Sequence, residues 1–112
     1  MMVDGSFPEC IKALPKVKVG FSGVSGWLSQ GSDSQVVFFE INAGGVVSPH
    51  SHGEQYGVVI DGEIELTIGG VTRLYKKGDS YHIPDSVVHS AEIRKFTRVM
   101  DFFVDVDRYS TE

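Results

Sequence analysis

His50 and His52 stand one residue apart in the run Ser48-Pro49-His50-Ser51-His52. On an extended strand the side chains alternate, so both imidazoles share a face, about 6.6–6.8 Å apart along the backbone. From that spacing two ring nitrogens can converge on one ion, at roughly 2.0–2.1 Å for a zinc-like metal. A third imidazole, His89, lies in Val87-Val88-His89-Ser90-Ala91-Glu92-Ile93. Its phase-mates Val87, Ala91 and Ile93 are apolar while Ser90 and Glu92 are polar, so His89 is expected to face inward. A lone strand histidine is ordinarily a surface group or a satisfied core group. Three inward imidazoles are different, because burying polar groups without partners costs on the order of 1–3 kcal/mol each. A bound ion or a polar ligand would remove that cost.

A fourth donor follows from the neighbouring segment. Asp61-Gly62 separates Val58-Val59-Ile60 from Glu63-Ile64-Glu65 and carries a strong two-residue hairpin signal. In that register Val59 faces Ile64, Gly57 faces Leu66 and Gln55 faces Ile68. Gln55, Gly57, Val59, Ile64, Leu66 and Ile68 then share one apolar face, so Gln55 is expected to point into the core. Glu54 is the rival donor, because a strand continuing straight past His52 would keep it in phase with the histidines. Gly53 is the natural place for a bend that breaks the phase, and the hairpin register puts Glu54 on the outer face, which favours Gln55.

The elements needed to position these groups are strands. Thirteen glycines in 112 residues disfavour helix, each weakening a helix interior by about 1 kcal/mol relative to Ala. Short β-branched and aromatic runs punctuated by Gly, Pro, Asp or Ser read as about ten strands: 16–21, 26–29, 35–41, 46–50, 55–60, 63–68, 71–76, 80–83, 87–93 and 97–104. Gly69-Gly70 marks a second hairpin. Phe7 to Leu14 is expected to hold at most one helical turn, and Arg108 to Glu112 to fray. One all-β domain spans 1–112, with an N-terminal extension over 1–15 and a barrel over about 16–106.

Composition limits what such a domain can do. Apolar residues are 41% and charged residues 22%, an ordinary globular balance. The longest apolar runs are about four residues, against roughly twenty for a membrane-spanning helix. Met1 to Gly5 shows no basic and then apolar stretch, so no signal peptide is expected. The single cysteine, Cys10, cannot pair within the chain. A net charge of −5 without a run of like charges argues against nucleic acid or an anionic membrane as partner. A cytoplasmic setting is expected. Ser51, Ser90 and the acidic residues form no nucleophile–base set of the Ser-His-Asp type. His82 reads as a rim or surface group and Tyr56 as lying outside the barrel. Trp27, Phe38, Phe39, Phe102 and Phe103 read as core, and Gly62 and Gly78 as turn residues.

The segment from Gly44 to Gly62, carrying His50-Ser51-His52-Gly53-Glu54-Gln55, resembles the first motif of the cupin superfamily. Gly78-Asp79-Ser80-Tyr81-His82-Ile83-Pro84-Asp85-Ser86-Val87-Val88-His89 resembles the second. The resemblance implies an all-β cupin fold, the double-stranded β-helix or jelly-roll sandwich, of the small single-domain bacterial type. It also implies one divalent metal ion held by His50, His52, Gln55 and His89. Three positions depart from the family pattern: Gln55 replaces the motif glutamate, Ser86 the second glycine of the second motif, and Ile93 its final asparagine. Three neutral imidazoles and an amide leave a divalent charge uncompensated, which predicts weaker metal binding than with glutamate and a preference for anionic ligands. Imidazoles suit Zn, Fe, Ni or Cu, and the amide oxygen also admits Mn.

Fold does not fix function. The favoured expectation is a small metalloenzyme, dioxygenase- or isomerase-like, acting on an oxygen-bearing small molecule. The alternatives are a non-catalytic small-ligand-binding module and a barrel whose site has decayed. Open sheet edges and the habit of the family predict a homodimer, with the segment containing Pro8 and Pro15 free to cross a partner's sheet.

Overall fold

Alternation is cleanest in β2 (Gln35–Ile41), where Gln35, Val37, Phe39 and Ile41 are buried and the residues between them are not. The same period governs β9 (Thr97–Phe103), which buries Thr97, Val99, Asp101 and Phe103. A strand with one apolar side needs a second layer to cover it. The computed structural model, which describes residues 6–112, supplies that layer as a second sheet.

The remaining strands are β1 (Val24–Gln30), β3 (Val46–His50), β4 (Gln55–Asp61), β5 (Glu63–Ile68), β6 (Val71–Lys76), β7 (Ser80–Ile83) and β8 (His89–Ile93). One sheet has the order β1-β2-β9-β4-β7 and the other β3-β8-β5-β6. All neighbours run antiparallel. Val37, Val59, Val99, Phe103, Ile64, Leu66, Ile83 and Ile93 fill the space between the sheets. This is the all-β jelly-roll sandwich expected from the sequence. The helical turn is α1 (Glu9–Lys12), and among the described residues no helix is long and apolar enough to cross a membrane.

Five expectations are corrected. The Asp61-Gly62 hairpin does not exist: β4 pairs with β7 and β9, while β5 pairs with β6 and β8. Gly62 is a corner at which the chain leaves one sheet for the other. Its φ of 91° suits glycine, and a Cβ there would collide with the Phe96 carbonyl and Thr97. The corner keeps the inner side inner, so Gln55, Gly57, Val59, Ile64 and Leu66 still face the core. By contrast, Gly69-Gly70 closes a true hairpin, with Ile68 opposite Val71 and φ positive at both glycines.

The strand expected over 16–21 shrinks to isolated bridges, Lys16 to Trp27 and Val17 to Thr111. The second of these shows that the C-terminus does not fray. Tyr109 is clamped to Gln35, donating its N–H to Oε1 at 2.9 Å and accepting from Nε2 at 2.9 Å, and its ring packs on Phe39 and Phe103. The N-terminal extension covers this chain's own sheet: Phe7 is buried against Trp27 and Phe38. Phe102 lies on the outer face, 41% exposed, rather than in the core. Met1 to Gly5, with the absence of a leader read from them, lie outside the described residues.

Candidate metal centre

β3 and β8 are hydrogen-bonded neighbours, and their register sets His50 directly opposite His89. A bulge between Val47 and His50 accompanies Pro49, which has no N–H to give to the ladder. The chain then bends at Gly53, whose N–H donates to Asp105 Oδ2 at 2.9 Å. A Cβ at Gly53 would collide with that carboxylate, so glycine permits the bend that brings His52 back over the pair. Ring centroids lie 4.2 Å apart for His50 and His89, 4.7 Å for His52 and His89, and 5.2 Å for His50 and His52. One nitrogen from each ring falls within 4.8 Å of the other two.

The free nitrogens are set by the occupied ones. His50 Nδ1 lies 2.8 Å from the Ser48 carbonyl, His52 Nδ1 2.8 Å from Gly53 O, and His89 Nδ1 3.0 Å from Val87 O. A carbonyl only accepts, so each Nδ1 carries the proton and each Nε2 keeps its lone pair. Burial also lowers all three pKa values, that of His52 to about 4, with the nearby Arg108 charge adding to the effect. The rings are therefore neutral near pH 7, as metal ligation requires.

The histidines open into an interior cavity of about 70 Å³ that Gln55, Tyr81 and Asp101 also line. That volume holds a few waters or a small coordinated group. Gln55 is 7% exposed, and its Oε1 is buried without a hydrogen-bond partner. Its amide also sits against Asp101, whose Oδ1 accepts the Tyr81 hydroxyl at 2.6 Å. Burial raises Asp101 to about 6, opposed by hydrogen bonds from Tyr81 and Gln55. With no partner of its own, Oε1 is free to serve as a donor in the cavity that Gln55 lines. An amide oxygen lining the same cavity as three imidazoles is a donor set that fits a divalent ion.

Glu54 is not part of this cluster. Its carboxylate lies on the outer surface, 2.6 Å from His82 Nε2 and 3.1 Å from the Tyr56 hydroxyl, and the Tyr56 and His82 rings stack. Asp101, Tyr81, Tyr109 and Arg108 were not singled out from the sequence. Asp101 had a signal, since it is a carboxylate in phase with Val99 and Phe103 on a strand with an apolar face. Arg108 and Tyr109 had none, because what holds them in place is far away in the chain.

Two antiparallel sheets closed over an interior cluster of three histidines define a small jelly-roll domain with a candidate metal site. The chain belongs to the cupin-domain family, which it matches over residues 37–103. It is 32% identical over 93 residues to H2HPP isomerase of Bacillus subtilis, covering 81% of this chain and 39% of that protein; it thus spans about two-fifths of that relative's length. Among solved structures it is similar to KdgF from Halomonas sp., with 25% identity, a TM-score of 0.71 and coverage of 78% of this chain and 84% of that one. It is also similar to an RmlC-like cupin from Shewanella frigidimarina, with a TM-score of 0.74, 22% identity and coverage of 91% and 90%.

Proposed function

We propose that the chain is a metal-dependent cupin enzyme acting, isomerase-like, on an oxygen-bearing small molecule, with His50, His52, His89 and Gln55 holding one divalent ion. The observation that carries this is the trio of imidazoles, each anchored through Nδ1, with one nitrogen of each ring within 4.8 Å of the other two. A bound divalent ion would act as a Lewis acid toward a substrate oxygen. The chain's own groups do the rest. The carbonyls of Ser48, Gly53 and Val87 fix the imidazole tautomers, and Gln55 adds an oxygen without adding charge. Phe39, Ile83 and Phe103 keep the cavity wall apolar and restrict water. The likeness to an isomerase of Bacillus subtilis supports the reaction class.

The ion is one of Zn, Fe, Mn, Ni or Cu, with small molecules rather than nucleic acid or membranes as partners. A reducing, cytoplasmic setting accords with Cys10 as a free thiol. A homodimer accords with Tyr56, Met100 and Phe102, exposed together on the outer face of β4 and β9; a monomer by sedimentation at micromolar concentration would contradict it. Elemental analysis of protein purified without a metal-affinity tag tests the centre: about one ion per chain, lost in folded His50→Ala and His89→Ala variants, is expected. A metal-free protein that binds no divalent ion on titration would overturn it.

A further inference from the structure

Outside the histidine cavity lies a second, wider space of about 370 Å³, a groove walled by Lys18, Gly20, Phe21, Ser51 and Arg108. His50, Phe21 and Tyr109 line both spaces, so the groove is the antechamber of the cluster. Its lining holds two cations and no carboxylate, in a chain of net charge −5. Lys12, Arg94, Lys95 and Arg98 are each matched to a carboxylate. Among the described residues neither Lys18 nor Arg108 has an acidic partner; Lys16, Arg73, Lys76 and Lys77 also have none, but they do not line the groove.

Arg108 is also held in place. Its guanidinium lies 4.4 Å from the Tyr109 ring centroid, and the Tyr109 backbone is clamped by Gln35. The next residue, Ser110, accepts the Lys18 N–H at 2.9 Å, tying the two walls together. Nε of Arg108 is buried with no hydrogen-bond partner, which costs free energy unless a ligand supplies an acceptor. Arg108 lines the groove together with His50, which also lines the inner cavity, so its charge stands beside the centre. The four donors proposed for the ion are all neutral, so nothing in that set offsets these charges.

Resting on the metal-centre reading above, we propose that the groove is a carboxylate subsite. Lys18 and Arg108 hold the carboxylate of a small organic acid, while a neighbouring keto or hydroxyl oxygen of the same molecule enters the histidine cavity. A planar guanidinium suits a carboxylate because it offers paired, parallel N–H donors. The division of volume fits this assignment, since the inner cavity admits only a small group and the body of the ligand must occupy the groove.

The test uses the full chain, metal-free and cobalt-loaded, with pyruvate as probe and methyl pyruvate as its uncharged counterpart. Binding is read from cobalt absorption bands and from amide shifts of Gly20, Ser51 and Ser110. Pyruvate is expected to bind more tightly than methyl pyruvate, and at least tenfold more weakly to Arg108→Ala, with cobalt affinity not weakened. Gly20→Asp provides a second variant: a Cβ there meets nothing within 4 Å, so a competing carboxylate enters the groove without disturbing the fold. It is expected to weaken pyruvate to a similar degree. Pyruvate affinity in both variants equal to that of the wild type, or equal affinity for the two probes, would overturn the subsite. Failure of the wild-type chain to bind cobalt would overturn the metal reading instead. The amide shifts caused by pyruvate in the metal-free chain would then still decide the groove, their absence counting against it.

Discussion

Tyr81 donates its hydroxyl to Asp101 at 2.6 Å directly over Gly57. The three residues sit side by side on β7, β4 and β9, where Gly57 pairs with both Tyr81 and Asp101. A Cβ on Gly57 would occupy the place of the Tyr81 ring and the Asp101 carboxylate. Gly57→Ala is therefore expected to lower stability by roughly 1–3 kcal/mol through overpacking, read as a lower denaturant midpoint. A variant as stable as the wild type would show that the pair can shift aside freely.

Acid is expected to destabilise the metal-free protein through its histidines. Their folded pKa values are lowered, that of His52 from 6.5 to about 4, so the unfolded chain binds more protons between those values. Stability from these groups is present above pH 6.5 and is lost as pH falls toward 4. Asp101, raised from 3.8 to about 6, acts in the opposite sense and gains stability on acidification through the same window. Three groups oppose one, so the net change from pH 7 to 5 is a loss. Asp101→Asn removes the opposing contribution and is expected to steepen that loss, as denaturation at several pH values would show.

Metal removal is expected to lower the melting temperature. An ion present at one hundred times its Kd and bound only by the folded state contributes about 2.7 kcal/mol, equivalent to a shift on the order of 10 °C in a domain of this size. Thermal unfolding with and without chelator checks this, and unchanged midpoints would argue against a tight site.

Gln55→Glu puts a carboxylate in place of a neutral amide on the wall of the cavity that the three imidazoles line. Metal affinity is expected to rise about tenfold, or roughly 1.4 kcal/mol, measured by competition with a chromophoric chelator. Gln55→Leu is expected to weaken it. Indifference to both changes would place the amide outside the metal's reach.

Ser86 is the one non-glycine residue with positive φ among those described, at 63°. Its N–H donates to the His52 carbonyl at 2.8 Å, which holds the turn against the cluster. Side chains in the left-handed region cost roughly 1–2 kcal/mol, while glycine adds unfolded-state entropy. Ser86→Gly is therefore expected to stabilise the fold by up to about 1 kcal/mol in chemical denaturation.

Much of this protein follows from local physics that a sequence displays. Alternation in Gln35 to Ile41 and Thr97 to Phe103 needs only the two-residue period of a strand, so strand positions and inward faces could be read directly. His50 and His52 share a face for the same reason, and Gly69-Gly70 announced its own turn. What the sequence could not contain is which strand lies beside which. Asp61-Gly62 has the composition of a hairpin, yet becomes a corner because β4 finds more favourable neighbours in β7 and β9, both distant in the chain. The clamp of Tyr109 by Gln35, the station of Arg108 in the groove and the burial of Asp101 under Tyr81 are likewise products of long-range packing. Sequence determined the kinds of donors and the faces they occupy. Only the closing of two sheets over one another decided their partners, because burial and hydrogen bonding there depend on groups brought together from across the chain.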